Sequence, residues 1–563
     1  MFKQQISRRE LIGITVLFLL YFIILLGNRV LNVPDEGRYP DVARAMLLTG
    51  DFITPKLNGV AFFHKPILYY WLQSASYALF GISEWSTRLM PALIAVLGCV
   101  MIYVAGTLLY SRRAGILAAV ILATNPLYYL GSHYADMNLE VAVFISATLF
   151  SFIVALQYPL GVQRRRWMWL AYAFAALGVL TKGLIGIVLP MMVMGVWIAV
   201  TWQWRLLREI YLGSGLLIFL AIALPWYVAV QIKNPGFFNF FIIYQHFTRF
   251  TGSGFNNPLP GWFYLPVLFL GVFPWSVPFL FAITSGLKRI WQKSVGSSID
   301  LFLLLWVVLI IVFFSRPESK IVGYIVPVIP AMALLAGGYL ARVSERVQRS
   351  SALLSVALAA LLMGTLMLLF VDKLPQEQIA MGIKPYCQAM AVVLLIGGIV
   401  TALLAWWQRI MAALVAVAAT GSIFTFALLL LLAPVSASES IKPLALLLKE
   451  RLQPGDLVAT YNDYYHDLGI YLQSSDYITV VSDWHDPEIA KSDTWRTEFY
   501  YGFPDTEGEE RWMIDKPAFA QRLAAGGTVY VFSIPQNAPE LTGEFHLHLI
   551  AEANGIVLFT NKP

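Results

Sequence analysis

Charge is scarce in this 563-residue chain: 13% of its residues are Asp, Glu, Lys or Arg, against 58% hydrophobic. Soluble domains carry about 25% charged residues, so a water-soluble fold for the whole chain is excluded. Cysteine is scarcer still. Cys99 lies inside an apolar run and Cys387 at the start of another, which excludes a disulfide framework and a cysteine-rich metal cluster. No GxGxxG fingerprint, GxSxG elbow or phosphate-cradling loop occurs in a supporting context, and without a nucleotide loop an ATP-driven pump is disfavoured.

What the chain has in abundance is long apolar runs. A bilayer core about 30 Å thick takes roughly 20 apolar residues per helix, and lipid forbids unpaired backbone. The runs near 11–31, 87–110, 114–132, 138–157, 167–182, 184–202, 211–230, 262–286, 299–315, 324–341, 351–371, 388–407 and 411–433 read as about thirteen transmembrane helices. The first run lacks a small-residue cleavage site and reads as an anchor. The expected fold class is therefore a polytopic α-helical membrane protein, with residues 1–434 in the membrane part and 435–563 as a soluble α/β domain.

Positive charge orients it. Arg8-Arg9, Arg112-Arg113, Arg164-Arg165-Arg166, Arg205 with Arg208, Lys288-Arg289, and Arg342 with Arg346 and Arg349 fill alternate gaps, which reads them as cytoplasmic. The N-terminus is then cytoplasmic and residues 435–563 are periplasmic in a cell with two membranes. The net charge of +6 is a topology signal and requires no nucleic acid.

The opposite gaps hold the chemistry. The 32–86 loop reads as two amphipathic interfacial helices, near Arg38–Thr49 with Val42, Met46 and Leu47 on one face, and near Pro66–Leu79 with Tyr69, Tyr70, Trp71 and Tyr77. Asp35 and Glu36 sit just beyond the first span, beside Arg38 and Tyr39, and Asp136 sits where the third span surfaces. A carboxylate at the edge of low dielectric is costly unless paired or used. Asp35, Glu36 and Asp136 are the candidate catalytic acids, one of the first two acting as general base or substrate anchor and the other held by Arg38. Asp136 also suits an N-cap of the fourth span. Lys65, Lys182, Arg249 and Lys320 fall on this outer side against the usual bias, and an anionic ligand such as a phosphate explains four such cations together.

Pro34-Asp35-Glu36-Gly37-Arg38-Tyr39, Phe63-His64-Lys65-Pro66 with Tyr70-Trp71, and Arg88-Leu89-Met90-Pro91 resemble first-loop signatures of bacterial membrane glycosyltransferases of the protein-mannosyltransferase-like group (families 39 and 83). Asp136-Met137, Leu180-Thr181-Lys182-Gly183, Leu224-Pro225-Trp226, His246-Phe247-Thr248-Arg249-Phe250 and Ser319-Lys320 through Tyr324-Ile325-Val326-Pro327 extend the resemblance. Its strongest form is to the aminoarabinose transferases that modify lipid A, over essentially the whole membrane region. The resemblance implies a GT-C fold and an inverting transfer from an undecaprenyl-phosphate-linked sugar to lipid A or another envelope acceptor, a protein being a further option. It implies Asp35 as base or acceptor anchor, Asp136 as second acid, and Lys65, Arg249 and Tyr324 on the carrier phosphate. Arg38, Tyr39, His64, Arg88, Lys182, His246 and Lys320 complete the substrate-binding candidates.

Two departures bear on cofactors. The aminoarabinose transferases read Phe-Glu-Lys-Pro where this chain has Phe63-His64-Lys65-Pro66, and His-Glu-His-Phe where it has Tyr244-Gln245-His246-Phe247. The Glu and His lost here are candidate metal ligands in that group. No cofactor is expected with certainty, and a divalent metal would fall to His64 and His246. Protein O-mannosylation on the same fold and a polyprenyl-lipid flippase remain as alternatives. The charges gather at one interface and no internal repeat is present, which favours transfer over transport.

In residues 435–563 a helix is expected at Ile441–Leu452, strands near Asp456–Tyr461, Ile470–Gln473 and Tyr477–Val481, a helix at Pro517–Ala524, and strands near Thr528–Phe532 and Ile556–Phe559. Tyr461-Asn462-Asp463-Tyr464-Tyr465-His466 and Phe499-Tyr500-Tyr501 are aromatic-acidic loops that read mainly as packing.

Overall fold

A computed structural model describes residues 6–248, 258–343, 346–489, 494–500, 502 and 512–562. The chain divides into two compact units. One holds Met1–Leu26, Arg88–Pro225 and Asn257–Leu432; the other holds Gly27–Thr87, Trp226–Asn256 and Ala433–Pro563.

The first unit is helical, as its apolar runs require. Among the described residues of the whole chain, eight helices are long and apolar enough to cross a membrane, or up to ten if each of two bent pairs is one span. The pairs are Arg112–Ala123 with Pro126–Ser132, bent by 65°, and Tyr264–Gly271 with Ser276–Trp291, bent by 112°. Pro126 marks the first break, because a proline disfavours helix at the residue before it. Helices Arg8–Ile23, Val162–Lys182 and Ile185–Val200 occupy the other expected runs. The first is shorter than its run: beyond Ile23 the chain turns, with Leu25 at φ 67°. The carbonyls of that turn are met by neighbours: Arg88 Nη1 donates to Leu26 O at 3.0 Å, Tyr129 Oη donates to Ile24 O at 3.1 Å, and His133 Nε2 lies 2.7 Å from the Ile24 oxygen.

The second unit combines the expected loop helices with the C-terminal segment. Helices Asp35–Thr49 and Leu68–Phe80 pack together, with Ser74 Oγ donating to Ala43 O at 2.9 Å. Between them β1 (Lys56–Leu57) and β2 (Val60–Ala61) form a hairpin. Its turn is Asn58-Gly59 with φ of 47° and 83°, the positive-φ pair that a two-residue hairpin demands. The Asp35–Thr49 helix is not the one-sided helix expected. Glu36, Gly37 and every residue from Tyr39 to Met46 are buried, because polar members on its outer face find partners in the C-terminal segment. Arg44 Nε donates to Asp41 at 2.6 Å and its Nη1 to Ser474 O at 2.7 Å.

The C-terminal segment holds a six-stranded sheet of β3 (Leu457–Tyr461), β4 (Thr479–Val481), β5 (Met513–Ile514), β6 (Val529–Ser533), β7 (His548–Ala553) and β8 (Ile556–Thr560). The order is β5-β4-β3-β6-β8-β7, parallel through β6 and antiparallel beyond it. Alternate residues feed two cores: Tyr530, Phe532, Ile556 and Leu558 on one face, Val529, Val531, Val557 and Phe559 on the other. Helices Lys442–Lys449 and Lys516–Ala524 stand where expected. The expected strand Ile470–Gln473 is instead the helix Leu468–Leu472. Its four core side chains, Leu468, Ile470, Tyr471 and Leu472, pack beside Leu444, Ala445 and Leu448. Strands β5 and β7 were not anticipated.

Candidate active site

Each unit holds a polar cluster of its own. In the second unit the cluster starts at the N-terminus of the Asp35–Thr49 helix, where two acids in the first turn face the positive end of the helix dipole. The two acids have different environments. Glu36 is fully buried; its Oε2 pairs with Arg29 and accepts from Asn32 N at 2.9 Å. Asp35 is 31% exposed at its side chain and pairs through Oδ1 with Nη2 of Arg38. The carboxylate held by Arg38 is therefore that of Asp35, while the buried Glu36 is held by Arg29.

Arg38 meets a second acid. Its Nη1 pairs with Glu498, whose other oxygen lies 3.1 Å from His466 Nε2. The Arg38 carbon sits 4.8 Å from the Tyr39 ring centre. Burial would raise the Glu498 carboxyl, but the charges of Arg38 and His466 outweigh it and hold the group at about 2. Burial would likewise lower Arg38, yet Glu498, Tyr39 and Asp35 carry it well above its ordinary range. The His466-Asp467 turn is pressed onto the helix at Gly37, where an added Cβ would lie 2.7 Å from Asp467 N and from the His466 carbonyl carbon. Only glycine fits that approach.

His64 and Lys65 follow β2 in a turn, both half-buried. The His64 ring stacks on Phe62 at 4.5 Å and lies 5.3 Å from Phe240. Among the described residues no group of three or more His, Cys, Asp or Glu side chains could hold a metal ion. His246 belongs to the π-helical stretch Asn239–Thr248, but its side chain, like the whole of Arg249, lies outside the described residues.

In the first unit Asp136 receives Asn138 N at 2.8 Å, and its other oxygen receives the Asn138 amide. The cap position of the Asn138–Ala155 helix is Met137, so the alternative reading of Asp136 as its N-cap does not hold. Asn138 in turn accepts from Lys182, whose ammonium lies 4.5 Å from the Tyr324 ring centre. Asp136, Lys182 and Tyr324 are thus joined through Asn138, a residue outside the sequence candidates. Glu140, one turn deeper, is fully buried and has no hydrogen bond among the described residues. Lys320 makes its contacts elsewhere, on backbone carbonyls. Arg88 is buried on the Leu26 carbonyl, and Lys320 donates to Leu259 O at 2.7 Å, Pro317 O at 2.6 Å and Glu318 O at 3.4 Å. An ammonium has three donors, so Lys320 is occupied by backbone carbonyls.

Comparison with known proteins follows the same outline. A family described as dolichyl-phosphate-mannose-protein mannosyltransferase matches residues 9–241. The undecaprenyl phosphate-alpha-4-amino-4-deoxy-L-arabinose arabinosyl transferase of Pseudomonas aeruginosa (strain UCBPP-PA14) is 31% identical over 416 residues, covering 71% of this chain and 72% of that protein. The chain belongs to the undecaprenyl phosphate-aminoarabinose arabinosyl transferase family. Members from Pseudomonas fluorescens (33% identical) and Pectobacterium carotovorum (31%) match 58% and 62% of this chain, which spans 58% and 63% of their own lengths. The crystal structure of ArnT from Cupriavidus metallidurans bound to undecaprenyl phosphate superposes with a TM-score of 0.86 at 26% identity, covering 99% of this chain and 98% of that one. The fold is therefore the GT-C fold of that family, a multi-pass helical membrane protein with a C-terminal sheet domain.

Proposed function

We propose that this chain is an inverting glycosyltransferase that moves 4-amino-4-deoxy-L-arabinose from undecaprenyl phosphate to lipid A. The observation that carries the reading is the likeness, over nearly the whole chain, to an ArnT structure that binds undecaprenyl phosphate. The acceptor oxygen attacks the anomeric carbon, the carbon–phosphate-oxygen bond breaks, and undecaprenyl phosphate leaves with its growing negative charge. Lys65, Arg249 and Tyr324 hold that phosphate, with Lys182 beside the Tyr324 ring, because fixed cations are most valuable where charge develops. Asp35, paired at one oxygen, is the base or acceptor anchor; Asp136 is the second acid, fixed by Asn138. Glu36 keeps the loop in place through Arg29. No step is assigned to a metal.

In the membrane, about thirteen helices cross, those at Arg8–Ile23, Val162–Lys182 and Ile185–Val200 included. The N-terminus is cytoplasmic and residues 435–563 are periplasmic, so the Asp35 turn faces the outer leaflet. The basic clusters at Arg112-Arg113, Arg164-Arg165-Arg166 and Lys288-Arg289 support that orientation.

Purified full-length protein, given undecaprenyl phosphate-aminoarabinose and lipid A, is expected to add one aminoarabinose to lipid A. Absence of product, with transfer instead from a mannosyl phospholipid to a peptide, would favour protein O-mannosylation, the reading the mannosyltransferase match supports.

A further inference from the structure

Glu498 belongs to none of the motifs that mark this family in the sequence. It sits on the helix Trp495–Tyr500, 460 positions from Arg38, and its side chain is 12% exposed. One of its oxygens takes the Nη1 arm of Arg38, while the Nη2 arm goes to Asp35. The guanidinium is therefore divided between two carboxylates, one supplied by the first loop and one by the C-terminal segment.

We propose that Glu498 is a positioning residue for sugar transfer: it holds one arm of Arg38, so that Arg38 engages one oxygen of Asp35 and leaves the other open to the reactant. The proposal rests on the role given to Asp35 above. An arginine beside a lone carboxylate favours the two-pronged fork, which would cover both Asp35 oxygens and neutralise the group. A second carboxylate draws one prong away and balances its charge. Three features suit Glu498 to this task. It stays ionised, held at about 2 by Arg38 and His466 against the effect of burial. Its far oxygen is fixed by His466 at 3.1 Å, and His466 is seated on the same helix turn at Gly37. Of the two acids Asp35 is the more exposed, and its Oδ2 accepts no hydrogen bond among the described residues.

The test is steady-state kinetics of full-length Glu498→Gln in detergent, with undecaprenyl phosphate-aminoarabinose and lipid A. Misplacing a reacting group by about 1 Å costs on the order of 100-fold, so kcat is expected to fall about 10- to 100-fold. The donor KM should stay within about twofold, since the phosphate-binding residues are untouched. Glu498→Asp, which keeps the charge, should recover part of kcat, which a loss of packing alone would not allow. An unchanged kcat in Glu498→Gln, or a loss carried by KM, overturns the proposal. Should Glu498→Gln fail to fold, His466→Ala decides: it frees the far oxygen, and kcat must drop several-fold at constant KM, an unchanged kcat being a refutation. A wild-type protein inactive on this substrate pair overturns the functional reading and this proposal with it.

Discussion

The Lys182 ammonium lies 4.5 Å from the centre of the Tyr324 ring while it donates to the Asn138 amide oxygen. An ammonium over an aromatic face is held without losing its charge, so it stays available to an anion. Asp136, tied to the same Asn138, adds a carboxylate to the group.

That geometry separates two functions of Tyr324. Tyr324→Phe keeps the platform and removes the hydroxyl proposed for the carrier phosphate. A hydrogen bond to a charged group contributes about 1.5–3 kcal/mol, so the donor KM should rise roughly 10-fold or more. Tyr324→Ala should cost more, because Lys182 loses its support as well. Equal, small effects in both variants would remove the phosphate from Tyr324.

Adjacent acids should fail in different ways. Glu36→Gln breaks the buried pair with Arg29, and breaking such a pair costs about 3–5 kcal/mol. The variant should express poorly and melt early. Asp35→Asn removes a partly exposed group and should melt within about 1 kcal/mol of wild type while losing transfer. Thermal denaturation in detergent distinguishes them; a destabilised Asp35→Asn with a stable Glu36→Gln would reverse the assignment.

Lys320 was expected on the phosphate, and the structure puts it among carbonyls instead. Lys320→Met should therefore lower stability, at about 1–3 kcal/mol for each buried acceptor left unpaired. Donor KM in the folded fraction should change less than about twofold. A raised KM with unchanged melting would return Lys320 to the binding site.

Asp467 makes stability depend on pH. Burial raises its carboxyl from 3.8 to about 7, outweighing backbone hydrogen bonds, His466 and Ser440. The folded protein thus holds this proton more tightly than the unfolded chain, so the stabilisation is complete below about pH 4 and is lost as pH rises through 7. Asp467→Asn, neutral at every pH, should melt above wild type at pH 8, with the gap shrinking towards pH 4. A gap that is the same at both pH values contradicts this.

Much of the fold could be read from local pattern, because lipid imposes it: apolar runs of the required length become helices wherever backbone cannot meet water. The errors lie where a partner distant in sequence decides. Ile470–Gln473 reads as a strand because Ile470 and Tyr471 favour one, and so short a segment shows too little period to tell. Packing beside Leu444 and Leu448 favours the helix Leu468–Leu472 instead. The β1–β2 hairpin did carry a local signal, Asn58-Gly59, but its strands are only two residues each. Asp35, Arg38, Asp136 and Lys182 stand out in the sequence because each is a charged group at an apolar boundary, while Tyr324 is singled out only by the family resemblance. Glu498 was not: it is one acid in a segment with many, and nothing within its own helix records that Arg38 is its partner. Lys320 shows the converse error, since an unusual lysine reveals its charge in sequence and its carbonyl partners only in three dimensions.

Aminoarabinose transfer to lipid A and the role of Asp35 are tested together by mass spectrometry of lipid A from cells lacking this gene and complemented with wild type or Asp35→Asn. One aminoarabinose-sized increment is expected to disappear on deletion, to return with wild type, and not to return with Asp35→Asn at equal membrane abundance. Unchanged lipid A in the deletion strain under conditions where wild type is expressed, or full restoration by Asp35→Asn, would contradict it.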